Sequence, residues 1–171
     1  MVAKSGDRRE LFRILDAVKD PEVPVLSVEE LGVLRDATVA PDGAVEVAIT
    51  PTYSGCPAMH TIEADIVAAL HEAGYPDVRV QTVFTPAWTT DWISAEAREK
   101  LRAYGIAPPS PRTGGDDELI PLLRRRAPEV VPCPYCGSEE TVLKSEFGST
   151  ACKSIRFCTS CQQPFEQFKA I

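Results

Sequence analysis

Hydrophobic and polar positions repeat along the chain with two periods, and together these predict a small mixed domain. Apolar residues recur at helical spacing in residues 8–19 and again in residues 57–73. Alternating patterns typical of half-buried strands occupy residues 33–39, 44–49 and 77–84. A final helix through Tyr104 completes the order α-β-β-α-β-α. We therefore predict an α+β fold in which the helices cover a three-stranded sheet.

Turn-forming residues separate these elements. Pro41-Asp42-Gly43 between the first two strands is typical of a β-hairpin, and Gly74 is placed to end the long helix. Ser27-Val28-Glu29-Glu30 has the spacing of a helix capping box. Thr90 or Asp91 is predicted to cap the final helix.

The composition changes after this domain. Residues 106–132 are rich in proline and glycine and predict a linker, with one short helix around residues 118–126. The run Arg124-Arg125-Arg126 is interpreted as a solvated surface, with a phosphate or partner patch as the alternative. We divide the chain into a domain of residues 8–105, this linker, and a C-terminal module of residues 133–171.

The C-terminal module contains two C-x-x-C pairs, Cys133/Cys136 and Cys158/Cys161. Each pair places two sulfurs on one tight turn, and four thiolates complete a tetrahedral zinc site. A segment this short buries too little apolar surface to fold alone, so a metal is a physical requirement. A rubredoxin-like iron site would use the same four ligands, and two disulfides would use the same four cysteines. Zinc is favoured because no redox-partner feature accompanies the pairs, so we predict a structural zinc ribbon.

Two further cysteines lie outside these pairs. Pro57 suits the first helical position, which places Cys56 at the N-cap, where unpaired N–H groups and the helix dipole favour a thiolate. The alternative is a small residue packed under the helix. Cys152 is interpreted first as a buried small residue, then as a fifth thiolate near the zinc, and last as half of a second site shared with Cys56.

Charge and composition exclude several classes of function. The net charge of −7 argues against a general nucleic-acid binder. No apolar run approaches the roughly 20 residues that a transmembrane helix needs, and the N-terminus lacks the apolar core of a signal peptide. We therefore expect a cytoplasmic protein, where clustered cysteines indicate metal binding more often than disulfides.

The sequence offers little support for an enzyme. His60 follows Cys56 by about one helical turn, so a Cys56 nucleophile with His60 as its base is the one catalytic arrangement considered. No orienting group or oxyanion hole accompanies this pair. We predict no catalytic residues.

Several segments together resemble known families. Residues 8–105 resemble the domain shared by bacterial SufT proteins and eukaryotic cytosolic iron–sulfur assembly factors, on four motifs: Asp20-Pro21-Glu22, Leu31-Gly32, Thr50 through Cys56-Pro57, and Pro86 through Ile93. When the C-terminal cysteines are added, with Phe147 through Lys153 and Pro164-Phe165, the whole chain resembles the PaaD family of phenylacetate degradation.

The PaaD resemblance implies an accessory role beside the multicomponent oxygenase that epoxidises phenylacetyl-CoA. The expected partners are its di-iron oxygenase and iron–sulfur reductase subunits, not a membrane or nucleic acid, and a homodimer is left open. The resemblance to the assembly factors implicates Cys56 in holding iron or an iron–sulfur cluster transiently, although those relatives lack the zinc ribbon. The alternatives are a structural subunit of the oxygenase, in which Cys56 is merely packed, and a zinc-ribbon nucleic-acid adaptor.

Overall fold

The computed structural model describes residues 7–110 and 130–170, and the chain divides between Lys100 and Leu101 into two compact units. The elements before the division are α1 (Arg8–Leu15), β1 (Leu34–Val39), β2 (Val45–Ile49), α2 (Ala58–Glu72) and β3 (Val78–Thr82). Helix α3 (Ala95–Tyr104) spans the division, and β4 (Ile106–Ala107), β5 (Thr141–Ser145), β6 (Lys153–Cys158) and β7 (Pro164–Phe168) follow it. The α+β prediction is confirmed.

The first sheet has the strand order β1-β2-β3. Strands β1 and β2 are antiparallel, and β3 joins β2 in parallel after the crossover through α2. The predicted hairpin joins β1 to β2. Its turn depends on the left-handed φ of 89° at Gly43 and on Asp42, whose Oδ1 accepts a hydrogen bond from the Ala44 N–H at 3.1 Å.

The core of the first unit lies between the helices and β2. Each element contributes the residues that its periodicity places on one face, and each such aliphatic side chain contributes about 1.5–3 kcal/mol of burial free energy. The fully buried members are Leu11 and Leu15 of α1, Ile62, Ile66 and Leu70 of α2, and Val45, Val47 and Ile49 of β2. This core fixes the end of β2 and the start of α2, between which Cys56 lies.

The predicted capping box is present. The Ser27 N–H donates to Glu30 Oε2 at 2.9 Å, and the Glu30 N–H donates to Ser27 Oγ at 3.1 Å. Burial opposes ionisation of Glu30, but hydrogen bonds from the Lys100 ammonium and the Ser27 N–H outweigh it and lower the pKa of Glu30. Helix α1 is shorter than predicted and ends at Leu15 rather than Lys19. After Leu15 the chain continues in tight turns, in which the Val18 N–H donates to the Leu15 carbonyl at 3.0 Å, and Lys19 then forms a β-bridge with Ser27.

The predicted cap of α3 is wrong. A single 3₁₀ turn begins at Thr90 and includes Asp91, so neither residue starts α3. Ile93 is extended and separates the two helices. The side chain at the start of α3 is Ser94, whose Oγ accepts a hydrogen bond from the Ala97 N–H at 3.0 Å.

Gly32 is expected to be the most sensitive glycine of the first unit. Its φ is +75°, and an added Cβ would lie 2.8 Å from the Cβ of Trp92. Gly32→Ala should lower the free energy of unfolding by about 2–4 kcal/mol, through backbone strain and a clash that rigid neighbours cannot relieve. Chemical denaturation followed by tryptophan fluorescence measures this. Gly55→Ala is the control, since its φ of +100° is strained but no atom lies within 4 Å; equal losses in both variants would contradict the expectation.

The second unit contains a four-stranded sheet with the order β4-β7-β6-β5. Strands β5, β6 and β7 are antiparallel neighbours, and β4 joins β7 in parallel. Strand β4 comes from the beginning of the segment assigned to the linker. The predicted helix at 118–126 and the run Arg124-Arg125-Arg126 lie outside the described residues.

Two aromatic residues of β7, Phe165 and Phe168, are buried. Phe165 forms a small core with Ala107, Val131, Cys133 and Cys158. Most members of that core are cysteine or alanine, so apolar burial alone gives this unit little stability. In the part of the chain that the structure describes, none of the helices has the length and apolar character required to cross a bilayer.

Candidate metal centre and the Cys56 loop

Two tight loops of the second unit bring four sulfurs together. Cys133 and Cys136 lie in the loop before β5, Cys158 ends β6, and Cys161 lies in the turn to β7. All four Sγ atoms lie within 4.8 Å of one another. The Sγ atoms of Cys133 and Cys161 are 3.7 Å apart, and those of Cys136 and Cys158 are 3.6 Å apart.

Left-handed residues shape both loops. Gly137 has a φ of 75°, and its N–H donates to the Cys133 carbonyl at 2.9 Å. In the second loop, Gln162 has a φ of 61°, and its N–H donates to the Cys158 carbonyl at 3.0 Å. The side chain of Gln162 donates to the Thr159 carbonyl at 2.6 Å, which helps to hold a conformation that non-glycine residues adopt rarely. Sequence reasoning missed Gln162, because nothing in its residue type indicates this conformation.

The geometry of these sulfurs fits a tetrahedral metal ion. Zinc–thiolate bonds of about 2.3 Å place the sulfurs of a regular tetrahedron about 3.8 Å apart, close to the two shortest separations here. Four thiolates and no other donor type are typical of zinc, or of iron in the same arrangement. The four residues are therefore a candidate metal site.

Hydrogen bonds distinguish the thiols from one another. The backbone N–H of Cys161 donates to Cys158 Sγ at 3.5 Å and, with the Ser160 N–H, lowers the pKa of Cys158 to about 7. Burial removes water from the Cys161 thiol, and this is the main reason that its pKa is raised. Hydrogen bonds with the neighbouring sulfurs add to the effect, and the pKa rises to about 12. Metal binding must therefore release protons from the cluster.

The Cys56 loop connects β2 to α2 in the first unit. The Cys56 N–H donates to the Tyr53 carbonyl at 3.2 Å, and the Cys56 carbonyl accepts from the Met59 N–H at 3.4 Å. Gly55 precedes it with a φ of +100° and with open space around the position of a Cβ. The turn leaves Cys56 partly exposed.

The predicted position of Cys56 relative to the helix is wrong by one residue. Helix α2 begins at Ala58, and its N-cap is Pro57, whose φ of −69° and ψ of −21° are already helical. Cys56 therefore lies just before the N-cap. No side chain caps this end and no acidic residue lies in the first turn, so the positive end of the helix dipole is not balanced locally. His60, considered as a base for Cys56, is exposed on the same helix.

Cys152 is buried, with 4% of its surface exposed. Its Sγ lies 3.0 Å from Thr150 Oγ1, and its carbonyl accepts from the Lys169 N–H at 2.9 Å. Among the described residues, the cluster of metal-binding side chains does not include Cys152. The described geometry agrees best with the interpretation of a packed small residue.

The loop that carries Cys152 is held by an ion pair that sequence reasoning missed. Glu166 Oε1 accepts from the Ser149 N–H at 2.7 Å, and Oε2 lies 3.1 Å from Lys153 Nζ. The Lys153 side chain is almost fully buried. Nothing in the sequence indicated this burial, since lysine and glutamate are usually solvated.

If Cys152 is a packed residue, the Cys152→Ala variant should keep about one metal ion per chain, because a tetrahedral site needs four ligands and has four without it. Its stability should fall by roughly 1 kcal/mol, as is usual for a single buried substitution. Elemental analysis and thermal unfolding measure both quantities. Loss of metal in this variant would show that Cys152 is a ligand.

Two known family models match the two parts of the chain that contain these cysteines. Residues 8–84, which include Cys56, match the model of an iron-sulfur cluster assembly protein. Residues 121–169, which include the four clustered cysteines, match the PaaD zinc beta ribbon domain.

Individual proteins show the same division. The chain is 43% identical over 162 residues, 95% of its length, to an Escherichia coli protein that is named as a putative 1,2-phenylacetyl-CoA epoxidase subunit, of which it covers 92%. It is 36% identical to an Fe-S protein maturation auxiliary factor of Porphyromonas gingivalis, over 54% of this chain and 88% of that protein. A crystal structure of a domain of unknown function, DUF59, from Bacillus anthracis matches 55% of this chain and 90% of its own, with 27% identity and a TM-score of 0.51.

The match to the Escherichia coli protein spans both units, and the two family models divide the chain between an assembly domain and a ribbon. The chain therefore belongs to the PaaD family.

Proposed function

We propose that this protein is a non-catalytic maturation factor for a phenylacetyl-CoA epoxidase, acting in the cytoplasm. In this proposal Cys56 transiently binds iron or an iron–sulfur cluster as cargo and passes it to the iron–sulfur reductase or the di-iron oxygenase subunit. Residues 8–105 carry the cargo, and residues 133–171 dock the client through the ribbon, with residues 106–132 as the linker.

The observation that carries the proposal is the setting of Cys56. This thiol is partly exposed, lies beside an uncapped helix N-terminus, and falls within the segment that matches the assembly family. Thiolates are the usual ligands of iron–sulfur clusters, and a partly exposed thiolate can exchange its cargo. A single cysteine supplies one ligand, so the client or a second molecule provides the others.

The ribbon suits a different task. Its four cysteines fill every position of a tetrahedral site, whereas sites that exchange ligands keep one position open. We propose zinc as the metal, bound by Cys133, Cys136, Cys158 and Cys161. A closed zinc site stabilises the fold of the ribbon and leaves the transfer of iron to Cys56.

A second candidate function is that of a stable structural subunit of the epoxidase. The relative from Escherichia coli is named as a subunit, which favours this alternative. It predicts that the protein co-purifies with the oxygenase in a fixed ratio and that Cys56→Ala does not change that ratio. A carrier instead dissociates from its client after transfer.

The buried cations of the ribbon weaken the third alternative, a nucleic-acid adaptor. Lys153 is paired with Glu166, and Arg156 Nε donates to Gln167 Oε1 at 2.6 Å. Both basic side chains are buried, so neither is available to phosphate groups. Nucleic-acid binding needs exposed cations whose counterions are released.

A transfer assay tests the proposed function. The protein is loaded anaerobically with iron and sulfide, incubated with cluster-free reductase, and separated from it again. We expect the visible absorption of a cluster to appear on the reductase with the wild-type protein and not with Cys56→Ala. Ser54→Ala, a change in the same loop that leaves the thiol in place, is the control. Equal transfer by wild type and Cys56→Ala would refute the role of Cys56.

A further inference from the structure

Strand β5 is an edge of the ribbon sheet. Within residues 7–110 and 130–170, it is hydrogen-bonded to β6 and to no other strand. Its apolar residues Val142 and Leu143 are 41% and 43% exposed, which is unusual for a strand centre. An edge of this kind presents unpaired N–H and C=O groups to another strand.

The hydrogen bonds to β6 show which backbone groups face outwards. The Thr159 N–H donates to the Glu140 carbonyl at 2.9 Å, and Val142 lies opposite Phe157 two residues further along. Backbone groups of an antiparallel strand alternate in direction, so those of Glu140 and Val142 point to β6. Those of Leu143, and the carbonyl of Thr141, therefore point to the open edge.

The side chains of β5 are complementary to a second copy of the same strand. In an antiparallel pairing centred on Val142, Glu140, which directly precedes β5, lies opposite Lys144 of the partner subunit, and the two-fold axis repeats this pair. The register of β5 with β6 shifts between Leu143 and Ser145, so the direction of the Lys144 side chain follows from its contact and not from alternation. The Lys144 Nζ lies 5.4 Å from the centre of the Phe157 ring, which places it on the same face as Val142. Opposite charges directly across two strands stabilise their pairing.

The backbone agrees with this register. A pairing centred on Val142 requires that the flanking residues direct their polar groups towards the partner, as those of Leu143 do. The Leu143 N–H can then donate to the carbonyl of Thr141 of the partner subunit, twice by symmetry. The Thr141 N–H already donates to the Glu139 carbonyl of its own chain at 2.8 Å, and the pairing with the partner subunit does not require it.

The other long edges offer no such match. In β3 the charge that could pair across a dyad is Arg79, but it already binds Asp42 at 2.6 Å and Glu46 at 3.4 Å. In β1, Asp36 is already paired with Arg8 at 2.9 Å, and Arg35 lies 3.5 Å from the centre of the Trp92 ring, closer than Lys144 lies to the Phe157 ring. By contrast, Glu140 and Lys144 form no ion pair with another described residue. A charged edge resists mismatched strands and favours a partner of opposite charge.

We propose that this protein forms a two-fold symmetric dimer in which β5 pairs antiparallel with β5 of a second copy, centred on Val142. The two ribbon sheets then continue as one eight-stranded sheet, whose strand count doubles the four of each copy. This dimer does not depend on the proposed role of Cys56.

Sedimentation analysis of the full-length zinc-loaded protein tests the dimer. The wild type should sediment as a dimer at high concentration. Lys144→Glu and Glu140→Lys should each raise the dissociation constant about tenfold or more, because each changes two symmetry-related pairs from attractive to repulsive. Glu139→Lys is the matched control, since in this pairing Glu139 lies opposite Ser145, which carries no charge, and it should leave the dimer intact.

Mixing the two charge-reversal variants decides the register. In a mixed dimer the glutamates at 140 and 144 of the Lys144→Glu chain face the lysines at 144 and 140 of the Glu140→Lys chain. The mixture should therefore form a heterodimer at concentrations at which each variant alone is monomeric. Native mass spectrometry with one isotope-labelled chain identifies it. A wild type that is monomeric up to about 1 mM, or a mixture that forms no heterodimer, would overturn the proposal. An equal loss of the dimer in Glu139→Lys would do the same.

Discussion

Replacing Cys158 with alanine is expected to unfold the ribbon and release its metal. Cys158 is fully buried in the small core of the second unit and belongs to the four-sulfur cluster. Structural zinc contributes about 10–16 kcal/mol of apparent binding free energy to small zinc modules, more than a core of this size can replace. Three remaining thiolates bind zinc less tightly and leave one position open. The unfolded fraction of this unit should therefore exceed its folded fraction.

Hydrogen exchange measured by mass spectrometry distinguishes local from global unfolding. Amides of β6 and β7 should exchange rapidly in Cys158→Ala, while those of α2 remain protected, because the two units are separate compact bodies. Cys152→Ala is the matched control, because Cys152 is also a buried cysteine of this unit but does not belong to the metal cluster. The amides of this variant should exchange like those of the wild type. Protection of β6 and β7 in Cys158→Ala without metal would show that the ribbon does not need its metal to fold.

Cys56→Ala is expected to abolish maturation of the epoxidase while the fold stays intact. In a strain that lacks the endogenous protein, epoxidase activity should fall more than about tenfold relative to the wild-type gene. Loss of a residue that hydrogen-bonds a metal ligand already lowers metal affinity or activity about 10–100-fold, and loss of a ligand itself should have at least that effect. Cys56 is partly exposed in a loop, so its removal creates no buried cavity.

Two measurements accompany the activity assay. The amount of assembled oxygenase, determined by immunoblot, should be unchanged, which separates maturation from assembly. The Ser54→Ala variant should retain wild-type activity, since it keeps the thiol and the turn. Wild-type epoxidase activity in the Cys56→Ala strain would favour the alternative of a structural subunit.

The sequence predicted the features that depend on local patterns. The two C-x-x-C pairs identified the four sulfurs because a tetrahedral site requires tight turns with two ligands each. The hairpin at Asp42-Gly43 and the capping box at Ser27 and Glu30 were predicted for the same reason, since backbone and side chain interact within three residues. The local preferences here agree with the fold that the whole chain adopts.

The pairing of strands that are distant in the chain could not be predicted from the sequence. Strand β4 has two residues and pairs with β7, about sixty residues later in the chain, so neither its length nor its neighbours predict it. The pair of Lys153 and Glu166 arises because the ladder of β6 and β7 places Glu166 opposite Ile155, next to Lys153. In the sequence nothing marks either charge as buried, since both residue types are usually solvated. Their burial follows from register, which no single segment specifies.

The errors at helix ends have a common cause. The start of α2 was displaced by one residue at Cys56, and the cap of α3 was assigned to Thr90 or Asp91 instead of Ser94. Several residues near each end can serve as caps, and the backbone chooses among them through contacts distant in sequence. The prediction of a thiol beside the start of α2 survives this shift, because Cys56 still adjoins the first turn.

The most direct test of the proposed function is the metal and acid-labile sulfide content of protein purified without oxygen, for the wild type and for Cys56→Ala. We expect about one zinc per chain in both proteins, because the ribbon cysteines are unchanged, and iron with sulfide in the wild type alone. Iron and sulfide retained at wild-type levels in Cys56→Ala would contradict the assignment of Cys56 as the ligand of the cargo.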